Sequence, residues 1–346
     1  MKALFIGLGG IGQRHLRNLW AATGGNVELL AYRVRGRTDV LTSQLTIDPG
    51  KNLESLYGLR TFDTLSAALD QRPDIAFICN PTSLHIPAAL EAARAGCHLF
   101  LEKPISDSLA GLGELAAIVE QKRLVTLVGY QLRFHPLMRR LAALVAENAI
   151  GPILAGRIDV GEDLRRWHPY EDYRQMYASR RDLGGGVILS QIHELDYIYG
   201  LLGLPETVYA AGGHLSDLEI DVEDIASILM QFRVGGRRIP VHVHEDYIQF
   251  PPSRSCQLIG NAGKILLDLR GMSLTHWDAK GEVRQSQTLE NFERNQLFLD
   301  EMNHFLACVH GQEKPIVSLY DGIQSLRMAL AARESLAGGG VVTLKD

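Results

Sequence analysis

Four cysteines in 346 residues, none in a CxxC pair, leave this chain without a disulfide framework or a thiolate metal ribbon. Cys79 and Cys97 lie in apolar, strand-like surroundings, and Cys256 and Cys308 stand apart from them, so buried free thiols in a reducing compartment are expected. No apolar run approaches the roughly 18 residues needed to cross a bilayer. The first such run stops at Ile6 without a signal-peptide cleavage pattern, and the expected location is cytoplasmic. Excess charge is missing as well. Lys and Arg number 35 against 40 Asp and Glu, a net charge of −5 that gives no reason to invoke nucleic acid or an anionic membrane as partner. There is no internal repeat and no low-complexity linker, although a chain this long, 46% hydrophobic, has core enough for two domains.

What is present begins at once. Ala3 to Ile6 reads as a buried strand and Ile11 to Trp20 as an apolar-periodic helix, with Gly7-Leu-Gly9-Gly10-Ile11-Gly12 between them. Strand, glycine turn and helix in that order open a dinucleotide-binding fold. Gly7 allows the tight turn, Gly9 lets backbone approach a pyrophosphate, and Gly12 lets helix pack on strand. The first amides of the helix then point at the phosphates. Alternation continues, with strands at 27–32, 75–79, 98–101 and 124–128 and helices at 65–70, 85–95 and 108–121. Gly96 is the expected left-handed cap of the helix at 85–95. That pattern implies a parallel sheet covered by helices, a Rossmann domain over residues 1–125. Beyond Ile150 the segments turn short and alternating, at 153–160, 207–212, 225–233, 238–244, 257–259 and 265–269. Gly235-Gly236 marks a hairpin. Residues 126–346 are therefore expected to form an α/β domain on a large, open, mostly antiparallel sheet, with a C-terminal helix near 320–335.

Two further motifs carry chemistry. In Leu99-Phe-Leu-Glu102-Lys103-Pro104 a buried strand ends in a lysine at the carboxyl edge of the sheet, where doubly wound sheets bind ligands. Pro104 stops the strand there. In Gly184-Gly-Gly186-Val-Ile-Leu-Ser190-Gln-Ile-His193-Glu-Leu-Asp196-Tyr197 a continuous helix would put Ser190, His193 and Asp196 on one stripe. A histidine there can take a hydroxyl proton near neutral pH; alone, it reads sooner as a satisfied helix histidine. His242 and His244 share a strand face, but no third ligand stands at a comparable spacing, and no metal is expected.

Together these landmarks resemble the glucose–fructose oxidoreductase/inositol dehydrogenase/MocA-like (Gfo/Idh/MocA) family over nearly the whole chain. The resemblance rests on GLGGIG followed by Arg14-His15, Ile78-Cys-Asn80-Pro81 with Leu84-His85, and Glu102-Lys103-Pro104. It continues through Gly129-Tyr-Gln-Leu-Arg133-Phe-His-Pro136, the GGG…His193…Asp196 segment and Val317-Ser-Leu-Tyr-Asp-Gly322. It implies hydride transfer between nicotinamide and a carbinol or keto carbon of a sugar or cyclitol. Lys103 would stabilise the reacting oxygen, and His193 would serve as base or acid. It also implies a homodimer or homotetramer formed through the C-terminal sheet. The residues expected to face the cofactor are Gly7, Gly9, Gly10, Ile11, Gly12, Arg33, Arg35, Asn80, Pro81, His85, Glu102 and Lys103. Related helices carry an aspartate where this chain has Ser190. That departure leaves three readings: altered substrate positioning, a relay through Asp182 or Asp196, or a cofactor-binding protein without turnover.

Cofactor choice is read at the end of the second strand. An acid there would bind the ribose diol of NAD, whereas this chain has Tyr32-Arg33-Val-Arg35-Gly-Arg37, which suits the 2′-phosphate of NADP. NADP is expected in preference to NAD. For the substrate, the expected contacts are Arg133, Trp167, Tyr170, Ser190 and His193. Arginines 165, 166, 174, 180 and 181 interleave with aromatic residues between Leu164 and Arg181. They suggest an anionic sugar, a nucleotide sugar or sugar acid of bacterial surface-polysaccharide synthesis, although a subunit-interface loop has the same composition. A cyclitol (inositol) dehydrogenase is the remaining alternative.

Overall fold

The computed structural model describes residues 1–33, 39–42 and 45–344. Its first sheet grows from the apolar strand β1 (Lys2–Ile6), which pairs in parallel with β2 (Glu28–Tyr32) on one side. A short antiparallel pair, β3 (Val40–Leu41) and β4 (Ile47–Asp48), follows outside this sheet. β5 (Arg60–Phe62), β6 (Ile75–Ile78), β7 (His98–Leu101) and β8 (Thr126–Val128) complete the parallel order β5-β2-β1-β6-β7-β8. The order reverses between β1 and β6, and a crevice opens beyond their carboxyl ends. Helices α1 (Gly10–Ala22), α2 (Leu53–Tyr57), α3 (Leu65–Leu69), α4 (His85–Ala95) and α5 (Leu112–Lys122) connect the strands. Gly96 closes α4 with φ +94°, as its sequence position requires. Because β8 belongs to it, this sheet extends to Val128.

After α6 (Pro136–Ala146) comes a nine-stranded sheet. Its strands are β9 (Ile153–Gly161), β10 (Thr207–Gly213), β11 (Ile225–Val234), β12 (Arg237–Asp246) and β13 (Ser253–Gly260). They are followed by β14 (Gly263–Asp268), β15 (Ser273–Asp278), β16 (Val283–Thr288) and β17 (Val342–Thr343). The order is β16-β15-β14-β13-β9-β12-β11-β10-β17, and β9 with β12 is its parallel pair. The expected open, mostly antiparallel sheet is present. Burial alternates along β11 and β12, so one face lies under helices and the other stands open.

Two late helices tie the halves together. In α9 (Asn295–Val309), Met302 and Phe305 bury themselves against Leu16, Phe77 and Phe100 of the first unit. In α10 (Leu319–Gly338), a capping box of Ser318 and Asp321 starts the helix, and Gly322 packs on Ile105 and Val128.

The segment after the three glycines departs from expectation. It forms two helices, α7 (Val187–Ser190) and α8 (His193–Leu202), broken at Gln191, where φ is −99° and ψ is 25°. A continuous helix would direct the Ser190 carbonyl at the amide of residue 194. Here it accepts the Lys103 ammonium at 2.7 Å, and the Glu194 amide turns to the Gln191 carbonyl.

Candidate active site

The glycine turn has the shape a pyrophosphate needs. Gly7 has φ +96°, and a Cβ there would lie 2.7 Å from the Asn80 amide nitrogen, at the point where the sheet order reverses. A Cβ on Gly12 would come within 2.2 Å of the Gly7 carbonyl oxygen. Among the described residues, nothing lies within 4 Å of the Cβ position of Gly9, at the start of α1. Tyr170 closes one side of it: its hydroxyl sits 2.8 Å from the Cβ position of Gly10. Tyr170, expected at the sugar, is therefore placed at the dinucleotide turn.

Several residues expected on the cofactor hold the crevice in shape instead. Glu102 receives His15 of α1 at 2.6 Å on one oxygen and the Lys103 amide at 3.1 Å on the other. His85 lies between the carbonyls of Pro104, at 2.8 Å, and Asn80, at 2.7 Å. It thereby links the ends of β6 and β7. The Asn80 amide donates to Leu84, leaving its side-chain oxygen buried beside the glycine turn without a partner among the described residues. Arg33 pairs with Glu54 at 3.1 Å. Arg35 lies outside the described residues.

Lys103, at the end of β7, reaches the Ser190 carbonyl at 2.7 Å, three residues before His193. Burial is the main cause that lowers Lys103 to about 8; Arg254 adds to it, while Glu102, Glu194 and Glu162 oppose it. His193 opens α8, 3.2 Å from the amide of Gln131, with its ring 5.6 Å from Tyr130 in an edge-on contact. Burial first, then Lys103, Arg254 and Arg294, push the imidazole well below its ordinary value. His193 is therefore a neutral imidazole at pH 7, with Nδ1 buried and without a partner among the described residues. Tyr130 and Gln131 are site neighbours that the sequence motif contains without marking. Gly129, which turns the chain beside the Glu102 carboxylate, was the available signal for them.

The broken helix also redistributes the stripe. Tyr177 and Tyr247 bring their phenols to Ser190, and Trp167 packs edge-on against Tyr247 at 5.3 Å. Asp196 turns away from His193. It binds Arg133 at 2.6 Å and accepts from Ser325 at 3.3 Å. The Arg133 guanidinium fits only because residue 200 is glycine: a Cβ there would be 1.8 Å from Nη1. Arg133, expected on the substrate, thus lies against α8 with its donors on Asp196. Asp182, the other relay candidate, pairs with Arg180 at the surface.

The arginine-rich loop is paired with itself and its surroundings. Arg165 and Arg166 hold Asp163, Arg174 holds Asp172 and Glu219, and Arg181 donates to the Asp221 carbonyl. Arg166 also lies 3.8 Å over Phe250. These guanidiniums are turned to neighbouring acids. On the opposite wall, Arg254 grips the fully buried Glu194 with two bonds of 2.8 Å.

Comparison with known proteins agrees with this architecture. The model described as "Oxidoreductase family, NAD-binding Rossmann fold" matches residues 1–130, and the "GFO/IDH/MocA C-terminal domain" matches residues 138–266. The chain is an NAD-binding oxidoreductase of the Gfo/Idh/MocA family. It is 27% identical to a myo-inositol 2-dehydrogenase of Thermotoga maritima, over 100% of this chain and 99% of that one. It is 24% identical to a scyllo-inositol 2-dehydrogenase (NAD(+)) of Bacillus subtilis, over 99% and 96%. Among solved structures, the WlbA dehydrogenase of Bordetella pertussis, in complex with NADH and UDP-GlcNAcA, superposes with a TM-score of 0.80. The two share 19% identity over 100% and 99% of the chains, a likeness of fold.

Proposed function

We propose that this protein is a nicotinamide-dependent sugar dehydrogenase or ketosugar reductase, with Lys103 and His193 as its catalytic residues. The observation that carries this reading is the hydrogen bond from Lys103 to the Ser190 carbonyl, which fixes an ammonium beside a neutral imidazole at the sheet's carboxyl edge. A bound dinucleotide supplies the hydride acceptor or donor. Gly7, Gly9, Gly10, Ile11 and Gly12 would hold its pyrophosphate, and the unpartnered Asn80 oxygen lies close by. Lys103 stabilises charge developing on the carbinol oxygen. With the Gln131 amide nitrogen 3.2 Å from its Nε2, His193 takes the hydroxyl proton in oxidation and returns it in reduction. Ser190, Tyr177, Tyr247 and Trp167 line the adjoining wall and orient the sugar.

NADP is proposed as the preferred cofactor, on Arg33 at the end of β2. The open face of the large sheet supports a homodimer or homotetramer. Tyr209 lies in register with Leu229 there, and both are exposed, as is Leu266 further along the sheet. A reducing, cytoplasmic setting is supported by four buried free cysteines, and no helix among the described residues is long and apolar enough to cross a membrane.

The test is turnover of NAD or NADP with sugars, sugar acids, nucleotide sugars and inositols. Wild type should reduce cofactor with at least one sugar, and His193→Asn should lose at least about a hundredfold in kcat. Turnover of inositols alone would favour the cyclitol reading. Tight cofactor binding without turnover would favour a regulatory role.

A further inference from the structure

The chain between β9 and α7, residues 162–186, leaves the large sheet, crosses to the first unit and returns. It is tied at its start, where the amides of Asp163 and Leu164 donate to the carbonyls of Gln249 and Tyr247 at 2.9 Å each. Trp167 then packs on Tyr247. Near its other end the Ser83 hydroxyl donates to the Asp182 carbonyl at 2.9 Å. Gly184 follows with φ +77°, so close to the first unit that a Cβ there would lie 2.9 Å from that of Thr82 and 3.0 Å from that of Asp107. Between these ties stands Tyr170. Its hydroxyl lies 2.8 Å from the Cβ position of Gly10, the first residue of α1.

Local partners hold the tyrosine there. Its ring stacks on His168, with centroids 5.2 Å apart and planes 21° from parallel. His168 in turn meets the Glu171 carboxylate at 2.9 Å. The stack fixes the ring and leaves the hydroxyl as the tip that faces the glycine turn. Among the described residues, the other neighbour of this point is a Leu45 methyl at 3.2 Å, so Tyr170 brings the hydrogen-bonding group to it. The helix end itself calls for a ligand. Gly9 caps α1 without a side-chain hydrogen bond, and no acid stands in the first turn, so its leading amides take their negative partner from elsewhere.

We propose that Tyr170 is a cofactor-binding residue whose hydroxyl donates to the dinucleotide pyrophosphate at the start of α1. The proposal rests on the NAD-binding fold and is independent of which sugar the enzyme uses. A phenol suits this task. It offers one donor on a rigid ring, and a phosphate oxygen makes that bond a charge-assisted one. The pyrophosphate is then held from two sides, by backbone amides of the glycine turn in the first unit and by a side chain sent across from the second. Because NAD and NADP carry the same pyrophosphate, Tyr170 serves both equally and has no part in choosing between them.

Fluorescence titration with NADH and NADPH, and calorimetric titration with ADP-ribose, compare wild type with Tyr170→Phe. That substitution keeps the ring and its stack on His168 and removes only the hydroxyl. All three ligands should lose about tenfold in affinity, the scale of one hydrogen bond to a charged group, and by a common factor. The unfolding temperature of the ligand-free protein should stay at the wild-type value. Unchanged affinities would overturn the proposal. A loss for NADH and NADPH that spares ADP-ribose would overturn it too, by moving the hydroxyl to the nicotinamide. A raised KM for the sugar with cofactor affinities intact would return Tyr170 to the substrate. Wild-type protein that binds none of the three ligands would remove the dinucleotide reading itself, a failure distinct from that of Tyr170.

Discussion

Lys103 owes its position to a carbonyl that a regular helix would have kept for itself. By accepting the ammonium, Ser190 turns a break between two short helices into the link between strand β7 and His193. Titration follows from the surroundings. Lys103 is lowered to about 8, so its positive charge is lost as pH rises through that value. His193 is pushed well below its ordinary 6.5, so it remains an acceptor throughout neutral pH. For oxidation, kcat/KM should therefore stay flat from about pH 6.5 to 8 and fall tenfold per unit above, with no acid limb at 6.5. Lys103→Arg, permanently charged, should lack the alkaline limb; a limb retained in that variant would assign it to another group. Arg33 offers a second test. Glu54 holds its guanidinium, and so competes with a 2′-phosphate. Glu54→Gln should raise NADPH affinity relative to NADH by about five- to tenfold, the scale of one charged hydrogen bond. Fluorescence titration of both reduced cofactors measures it, and an unchanged ratio would place the 2′-phosphate away from Arg33.

At the scale of elements, α8 carries a salt bridge that looked in the sequence like substrate chemistry. Arg133 grips Asp196, which is almost wholly buried, and Gly200 clears its path. Removing the cation strands a buried charge, a loss of about 3–5 kcal/mol. Arg133→Met should thus lower stability in urea by that order, while the KM for the sugar measured on the folded fraction stays near wild type. A normal stability with a raised KM would return Arg133 to the substrate. The loop at 165–181 teaches a related lesson. Asp163-x-Arg165, Asp172-x-Arg174 and Arg180-x-Asp182 each place an acid two residues from an arginine, and each pair closes in the structure. That spacing was readable. Basic and aromatic residues together resemble a binding loop, which masks the pairing.

Across the whole molecule, local pattern carried the parallel half well. The bounds of α4 and β7 matched the sequence reading, because apolar strands and glycine-capped helices declare themselves over a few residues. Strands β15 and β16 were missed because they are polar and short, as in Val283–Thr288. Helix α9 could not be placed at all from sequence. Its partners on α1 lie some 280 residues earlier, and Arg14, Asn18 and Asn295 meet only once the chain is folded. The same is true of the site. Glycine turn, Lys103 and His193 were legible as motifs, whereas the Lys103–Ser190 bond and the turn of Asp196 toward Arg133 are products of tertiary packing.

The most direct measurement is turnover of Lys103→Met on the best substrate, with cofactor affinity titrated on the same preparation. An ammonium fixed beside the reacting oxygen should be worth at least about a hundredfold in kcat. Cofactor affinity and unfolding temperature should remain at wild-type values, because Lys103 meets the protein through a single carbonyl. Turnover within a few fold of wild type would contradict the account and leave Lys103 as a tie between β7 and the broken helix.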